Sequence, residues 1–316
     1  MTNRIQTYLL NLIFSVFFLI STANADVKVV TSIKPIHSLV SFIMDGVGKP
    51  DVIIDGYNSP HNFSLKPSHA KMLENADLVI WVGEDLEAFL EKPLKTIARK
   101  AKNIEVMDLN GIKKLAFREK NIFEGHDEHD DHKEHDDHKE KDSHEGHAHG
   151  EHDPHVWLDP INAKLIIKEV TKQLVQLDAK NSSVYKSNSK KALAEIDNLI
   201  QNIQKNISKD LRFVVFHDAY QYFENRFDIQ VLGALTVNTD VMPGAKQLSE
   251  IREVIEHEKV NCLFSEPQFN PAIIKSIAKD TNVKTGILDP LGAKLDKGKN
   301  LYFDLLKNMM TSFKGC

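Results

Sequence analysis

Histidine is the residue type in this sequence best suited to holding a metal, and nine of the fifteen histidines crowd into one stretch. His126, His129, His132, His135, His138, His144, His147, His149 and His152 are interspersed with Asp, Glu and Lys, and the run gives way to Asp153-Pro154-His155-Val156-Trp157-Leu158-Asp159-Pro160. Neutral imidazole suits borderline metals such as Zn²⁺, but the two parts offer it differently. The run over 124–152 lacks apolar periodicity and holds few residues able to offset about 1–2 kcal/mol of ordering cost per residue. It is therefore expected to be disordered without metal and to provide several weak, exchangeable sites; a solvated acidic loop is the plainer alternative. From Glu124 to Asp153 thirteen acidic residues stand against three lysines, a net of −10 in a chain of net −5, which leaves +5 for the remainder. The basic residues are scattered without interleaved aromatics, so no nucleic-acid footprint is present.

The remaining histidines are sorted by the elements that must position them. β-Branched apolar runs predict strands over 27–33, 52–54, 78–82 and 104–107. Helices are predicted from Lys34, after a Ser68 cap, and over 85–98, where Pro93 predicts a kink. Beyond the histidine run, Asp159-Pro160 has the chemistry of a helix start, and Ile161, Leu165, Ile166, Val170, Leu174 and Leu177 recur at helical spacing. A stripe of Ala192, Ile196, Leu199 and Ile203 predicts a helix over 183–207, roughly 40 Å long at about 1.5 Å per residue. The strand rhythm then repeats over 213–216, 229–233, 262–265 and 283–288, with helices over 243–257 and from Asn270-Pro271. The expected fold class is α/β, with two βαβα lobes of parallel sheet joined by one long linking helix and a metal cleft between them. The corresponding boundaries are 26–180, 181–208 and 209–316.

Ligands of open parallel sheets bind outside the carboxyl ends of the strands. His61 lies in the turn-rich loop after the second strand, His155 follows the fourth, His217 ends the first strand of the second half, and Asp289 follows the last strand. These four can converge between the lobes as three imidazoles and one carboxylate, a set fit for tetrahedral Zn²⁺. The plainer alternatives are a solvated turn histidine at His61, a satisfied strand-end histidine at His217, and a turn-organising Asp289 before Pro290. His37, His69 and His257 sit in helical stretches without a placed partner and are read as structural. Two other classes compete. A zinc hydrolase would need an open coordination position, which Asp289 would fill, and the chain has no HExxH. A zinc buffer would act through the histidine run alone.

The N-terminus has Arg4, an apolar core over 9–20 and Ala23-Asn24-Ala25, the order of a cleavable secretory signal peptide over 1–25. Its core of twelve residues is shorter than the ~20 of a membrane span, and no second such run follows, so the mature protein should be exported and not membrane-embedded. Only Cys262 and Cys316 are present. In an oxidising compartment the pair suggests one disulfide, with two free thiols as the alternative.

Several segments together resemble a known family. They are Asn58 to Ser68, Ala76 to Gly83, Asp153 to Pro160, Phe216-His217-Asp218-Ala219-Tyr220, Ser265-Glu266-Pro267-Gln268-Phe269 and Leu288 to Gly292. In that order they are similar to the motifs of the cluster A-I metal-binding proteins of ABC importers, across essentially the whole mature chain. The resemblance implies a periplasmic receptor, monomeric, that captures Zn²⁺ between two lobes and delivers it to a permease driven by an ATPase. It implies His61, His155 and His217 as ligands, and it implies the Cys262–Cys316 pairing. Manganese members carry a carboxylate at the position of His217, so imidazole there favours Zn²⁺ over Mn²⁺. The fourth ligand is expected to be Asp289, with water as the alternative.

Overall fold

The computed structural model describes residues 26–123, 151–237, 239 and 241–316. The stretch 1–25, expected to be a signal peptide, and the clustered histidines His126 to His149 lie outside the described residues.

Four short strands, β1 (Val29–Ile33), β2 (Asp51–Ile54), β3 (Leu78–Trp81) and β4 (Lys102–Glu105), form an all-parallel sheet in the order β2-β1-β3-β4. A second parallel sheet repeats that order as β6-β5-β7-β8, from β5 (Arg212–His217), β6 (Gln230–Thr236), β7 (Cys262–Ser265) and β8 (Lys284–Ile287). All five residues of β1 are buried, as expected of a parallel strand covered on both faces. Helices α1 (Lys34–Ile43), α2 (Pro67–Glu74) and α3 (Glu84–Thr96) connect the first sheet. Helices α6 (Gln221–Phe227), α7 (Ala245–His257) and α8 (Ala272–Thr281) connect the second.

Between the sheets run α4 (Pro160–Leu177) and α5 (Ser182–Asn206). Asp159 caps α4 by accepting from the Ile161 N–H at 2.8 Å, with Pro160 in the first turn. The 25 residues of α5 bury Tyr185, Ala192, Ile196, Leu199 and Ile203 on one side. This face packs on α1, α4 and the C-terminal helix α9 (Leu301–Lys314).

The sequence pattern misplaces the bend in α3. Helical dihedrals break at Glu87 (φ −127°, ψ 49°) and not at Pro93. Glu87 turns its carboxylate back to accept from the Val82 and Gly83 N–H groups at 2.7 and 3.2 Å, which draws its backbone out of the helix.

Two segments cross between the halves. Helix α9 packs on α1, where the Tyr302 N–H donates to Ser38 Oγ at 2.9 Å and the rings of Phe42 and Phe303 lie 5.7 Å apart. In the other direction, a strip within 113–123 lies along the second half. Ile122 pairs antiparallel with Gly233, the Phe123 N–H donates to Leu232 O, and the Ala234 N–H donates to Asn121 O. A side chain at Gly233 would come within 2.7 Å of Asn121 O, so glycine there lets the strip cover the β6 edge. The same strip pairs Ala116 with His152 and receives Glu151 on Phe117, so the chain on both sides of 124–150 is anchored to it. One apolar cluster consequently runs through both halves, from Ile33 and Val79 through Trp157 and Ile196 to Phe213 and Phe313.

Cys262 and Cys316 form a disulfide with Cα atoms 5.7 Å apart, tying the start of β7 to the end of α9. Closing a loop with a separation of 54 residues removes chain entropy worth roughly 4 kcal/mol. Reduction should therefore lower the free energy of urea unfolding by about that amount. A change below about 1 kcal/mol would show that the reduced unfolded chain is already compact there.

Candidate metal centre

Three histidines from separate elements meet at the carboxyl ends of the two sheets. The ring centroids of His61 and His155 are 5.4 Å apart, those of His61 and His217 5.3 Å, and those of His155 and His217 4.9 Å. One nitrogen of each lies within 4.8 Å of the others.

His61 sits on the loop from β2 to α2. Asp55 roots that loop by accepting from the Gly56 N–H at 2.8 Å and, through its carbonyl, from Asn58 Nδ2 at 2.6 Å. The His61 N–H donates to Ser59 Oγ. His155 precedes a 3₁₀ turn over Val156–Leu158. Asp153 Oδ1 lies 2.9 Å from the His155 N and 2.7 Å from its Nδ1. The turn is fixed across the cleft, since Trp157 Nε1 donates to Pro290 O at 2.9 Å and Tyr302 Oη donates to Trp157 O at 2.8 Å. His217 closes β5, and its Nδ1 lies 3.1 and 3.2 Å from the two oxygens of Glu266. His155 and His217 are buried, while His61 is half-buried. The Nε2 of His217 is buried without a hydrogen bond among the described residues, as a metal ligand waiting for its ion would be.

Burial pushes His155 below its ordinary value of 6.5, against the opposing pull of Asp153. Burial also pushes Asp218 well above the usual carboxylate range, and Arg118 counteracts it from 3.4 Å. The same arginine donates to Glu224 at 2.7 Å. The cavity bounded by His61, His155, His217, Phe269 and Leu291 has a volume of about 10 Å³. That is about one water-sized sphere, room for an ion and not for an organic solute.

Asp289 does not join this group. Its Oδ1 accepts from Gln268 Nε2 at 3.0 Å and from the Leu291 N–H at 3.3 Å, so it organises the turn before Pro290 and lines a separate cavity of about 300 Å³ against α9. His37 and His69 are structural, the first 3.1 Å from Pro50 O and the second accepting from the Lys66 N–H. His257 ends α7 away from the group. His152 is half-buried at the base of the strip.

Sequence reasoning gave no role to Asp153 and Glu266. The first could have been found as a carboxylate two residues before a histidine. The second follows from register, since β5 and β7 pair Phe213 with Cys262 and Val215 with Phe264, an offset that carries on from His217 to Glu266.

The family described as zinc-uptake complex component A, periplasmic (ZnuA) matches residues 29–316. The high-affinity zinc uptake system protein ZnuA of Brucella abortus (strain 2308) is 41% identical over 311 residues, covering 94% of this chain and 93% of that protein. The Yersinia pestis protein of the same name is 37% identical over 301 residues, covering 92% of each. Among solved structures, a crystal structure of ZnuA superposes with a TM-score of 0.74 at 24% identity over 92% of this chain and 98% of that one. A manganese-bound periplasmic metal-binding protein from Candidatus Liberibacter asiaticus gives 0.71 at 21% identity, over 90% and 97%. At these identities the structural likenesses carry the fold alone, and a manganese-bound neighbour means that the fold by itself does not select the metal.

Proposed function

Since this chain belongs to the zinc-uptake complex component A family, we propose that it is the periplasmic receptor of an ABC-type zinc importer, capturing Zn²⁺ with high affinity on His61, His155 and His217. The observation that carries this reading is the convergence of three imidazoles, ligand atoms within 4.8 Å of one another, on a cavity the size of one ion. An all-nitrogen protein donor set favours Zn²⁺ over oxygen-preferring Mn²⁺. With Asp289 committed to Gln268 and Leu291, the fourth position is assigned to water, and Asp289 would need to turn away from both to take it.

In this reading residues 1–25 direct export, the monomeric receptor hands Zn²⁺ to a permease and its ATPase, and the histidine run gathers zinc on weak sites. The boundaries 26–180, 181–208 and 209–316 divide it into lobe, linking helix and lobe. We read it as a receptor and not a hydrolase because the family it belongs to is a zinc-uptake component. Competition titration of the mature protein with Zn²⁺ and Mn²⁺ tests the assignment. Zinc should displace manganese, and equal or tighter manganese binding would overturn it.

Protons compete with metal for imidazole. Because the His155 value lies below 6.5, this ligand stays neutral at pH 7, and its share of the affinity is lost only as the pH falls below 6.5. Zinc affinities measured at pH 7.5, 6.5 and 5.5 should fall most steeply in the last interval. A loss concentrated above pH 6.5 would mean that a group other than His155 governs the competition.

A further inference from the structure

We propose that Glu266 and Asp153 are positioning residues of the metal centre: they hold the Nδ1 protons of His217 and His155, aim both Nε2 lone pairs into the cleft, and together balance the charge of a dication. The proposal rests on the functional reading above and deepens it.

The geometry fixes the tautomers. A ring nitrogen facing a carboxylate oxygen at hydrogen-bond distance must carry the proton, because two lone pairs would repel. His155 Nδ1 is 2.7 Å from Asp153 Oδ1, and His217 Nδ1 is 3.1 Å from Glu266 Oε1. The free lone pair of each ring is therefore on Nε2. The fold sets the backbone that carries each carboxylate. Asp153 is held through its backbone, its N–H donating to Leu115 O at 2.9 Å and its carbonyl accepting from Tyr222 Oη at 2.7 Å. Glu266 follows directly from β7, whose register with β5 places it beside His217. The two acids are 1% and 4% exposed, so neither charge is dispersed by solvent.

The two carboxylates that touch the imidazoles match a dication: three neutral imidazoles and Zn²⁺ carry +2, and Asp153 and Glu266 offer −2, while Asp218 and Glu224 behind them face Arg118. A monovalent ion would leave one buried negative charge uncompensated, which is strongly unfavourable. The two acids thus act through the histidines, orienting them and raising their basicity, and they favour divalent over monovalent ions. Outer carboxylates of this kind change metal affinity by about 10- to 100-fold.

The test uses the mature protein and its Glu266→Gln, Glu266→Leu and Asp153→Asn variants. Long-range ¹H–¹⁵N correlation spectra of the metal-free proteins read the ring tautomers, chelator competition reads zinc affinity, and circular dichroism confirms folding. In the unaltered protein His155 and His217 should both be protonated at Nδ1. Glu266→Gln should keep that tautomer, since its amide carbonyl still accepts, yet lose about tenfold in zinc affinity with the charge. Asp153→Asn should do the same at His155. Glu266→Leu should mix the His217 tautomers and lose up to about 100-fold. A purely structural role would lower the melting temperature without moving tautomer or affinity. Nε2 protonation of His217 in the metal-free protein, or a folded Glu266→Gln or Asp153→Asn variant with unchanged zinc affinity, would overturn the proposal. If Glu266→Leu does not fold, the two amide variants still decide. Failure of the unaltered protein to bind zinc would overturn the functional reading instead, while the tautomers would still report on the positioning.

Discussion

Replacing His217 by alanine should weaken zinc binding by about 100- to 1,000-fold, whereas removing residues 124–150 should leave the tightest site intact. Four-ligand zinc sites bind with apparent free energies of about 10–16 kcal/mol, or roughly 2.5–4 kcal/mol per ligand, and about 1.4 kcal/mol corresponds to tenfold in affinity. His217 is fixed at the end of β5 and buried among Glu266, Phe269 and the other two imidazoles. No other described histidine is placed to replace it. The deletion must respect the anchored strip. Glu151 receives the Phe117 N–H and His152 lies opposite Ala116, so both should be kept. Phe123 is six residues beyond Phe117, a span of up to ~20 Å at about 3.4 Å per residue, so a flexible linker of about eight residues should join the ends. The joined protein should match the full chain within about twofold, the scatter of independent sites. Zinc competition titrations decide between the two regions. If the deletion abolishes the tight site while His217→Ala retains it, the centre lies in the histidine run.

The second large effect is on stability. Lys34, 4% exposed at the start of α1, donates to Gly292 O, Ala293 O and Leu295 O at 2.7, 3.2 and 2.7 Å, with Asp55 Oδ1 at 3.9 Å. It thereby ties the first half to the loop that follows β8. Lys34→Met keeps the apolar stem but leaves three carbonyls without their shared cation. Charged hydrogen bonds contribute about 1.5–3 kcal/mol each, and breaking a buried ionic cluster costs about 3–5 kcal/mol. The expected loss in urea unfolding is about 3 kcal/mol, since water entering the gap recovers part of the sum. A loss under about 1 kcal/mol would show that water replaces the ammonium almost fully.

The strands were legible because a buried parallel strand is a short β-branched run between turn formers, and Val29–Ile33, Leu78–Trp81 and Cys262–Ser265 are of that kind. That His61, His155 and His217 meet was legible because His61 and His217 follow or end such runs and His155 stands where ordered sequence resumes. What differed depended on side-chain partners that residue patterns do not name, near in sequence for Glu87 and far for Gln268 and the C-terminal helix. Asp289 has the position of a ligand, but the nearby Leu291 N–H and the distant Gln268 amide claim its oxygen. Pro93 was a visible helix breaker, yet the bend follows Glu87 because its carboxylate finds the end of β3. Helix α9 has apolar residues at helical spacing, but nothing local to it specifies that it returns to α1. The roles of Asp153 and Glu266 emerge only once register and pairing are known.

The bonds across the cleft bear on how a bound ion leaves. Besides Lys34, the halves are joined by Arg226, whose guanidinium grips both oxygens of Asp159 at 2.7 Å, and by the bonds of Trp157 to Pro290 and of Tyr302 to Trp157. These ties hold together the two walls of the cavity that His61, His155 and His217 line. Reversing a closed-to-open ratio from 99:1 to 1:99 takes about 5.5 kcal/mol of differential binding. A transporter that empties this site must bind the opened form more tightly than the closed one by a margin of that order. In the receptor reading proposed above, docking would then pace delivery, and free zinc in the surrounding fluid would set how often the site is filled.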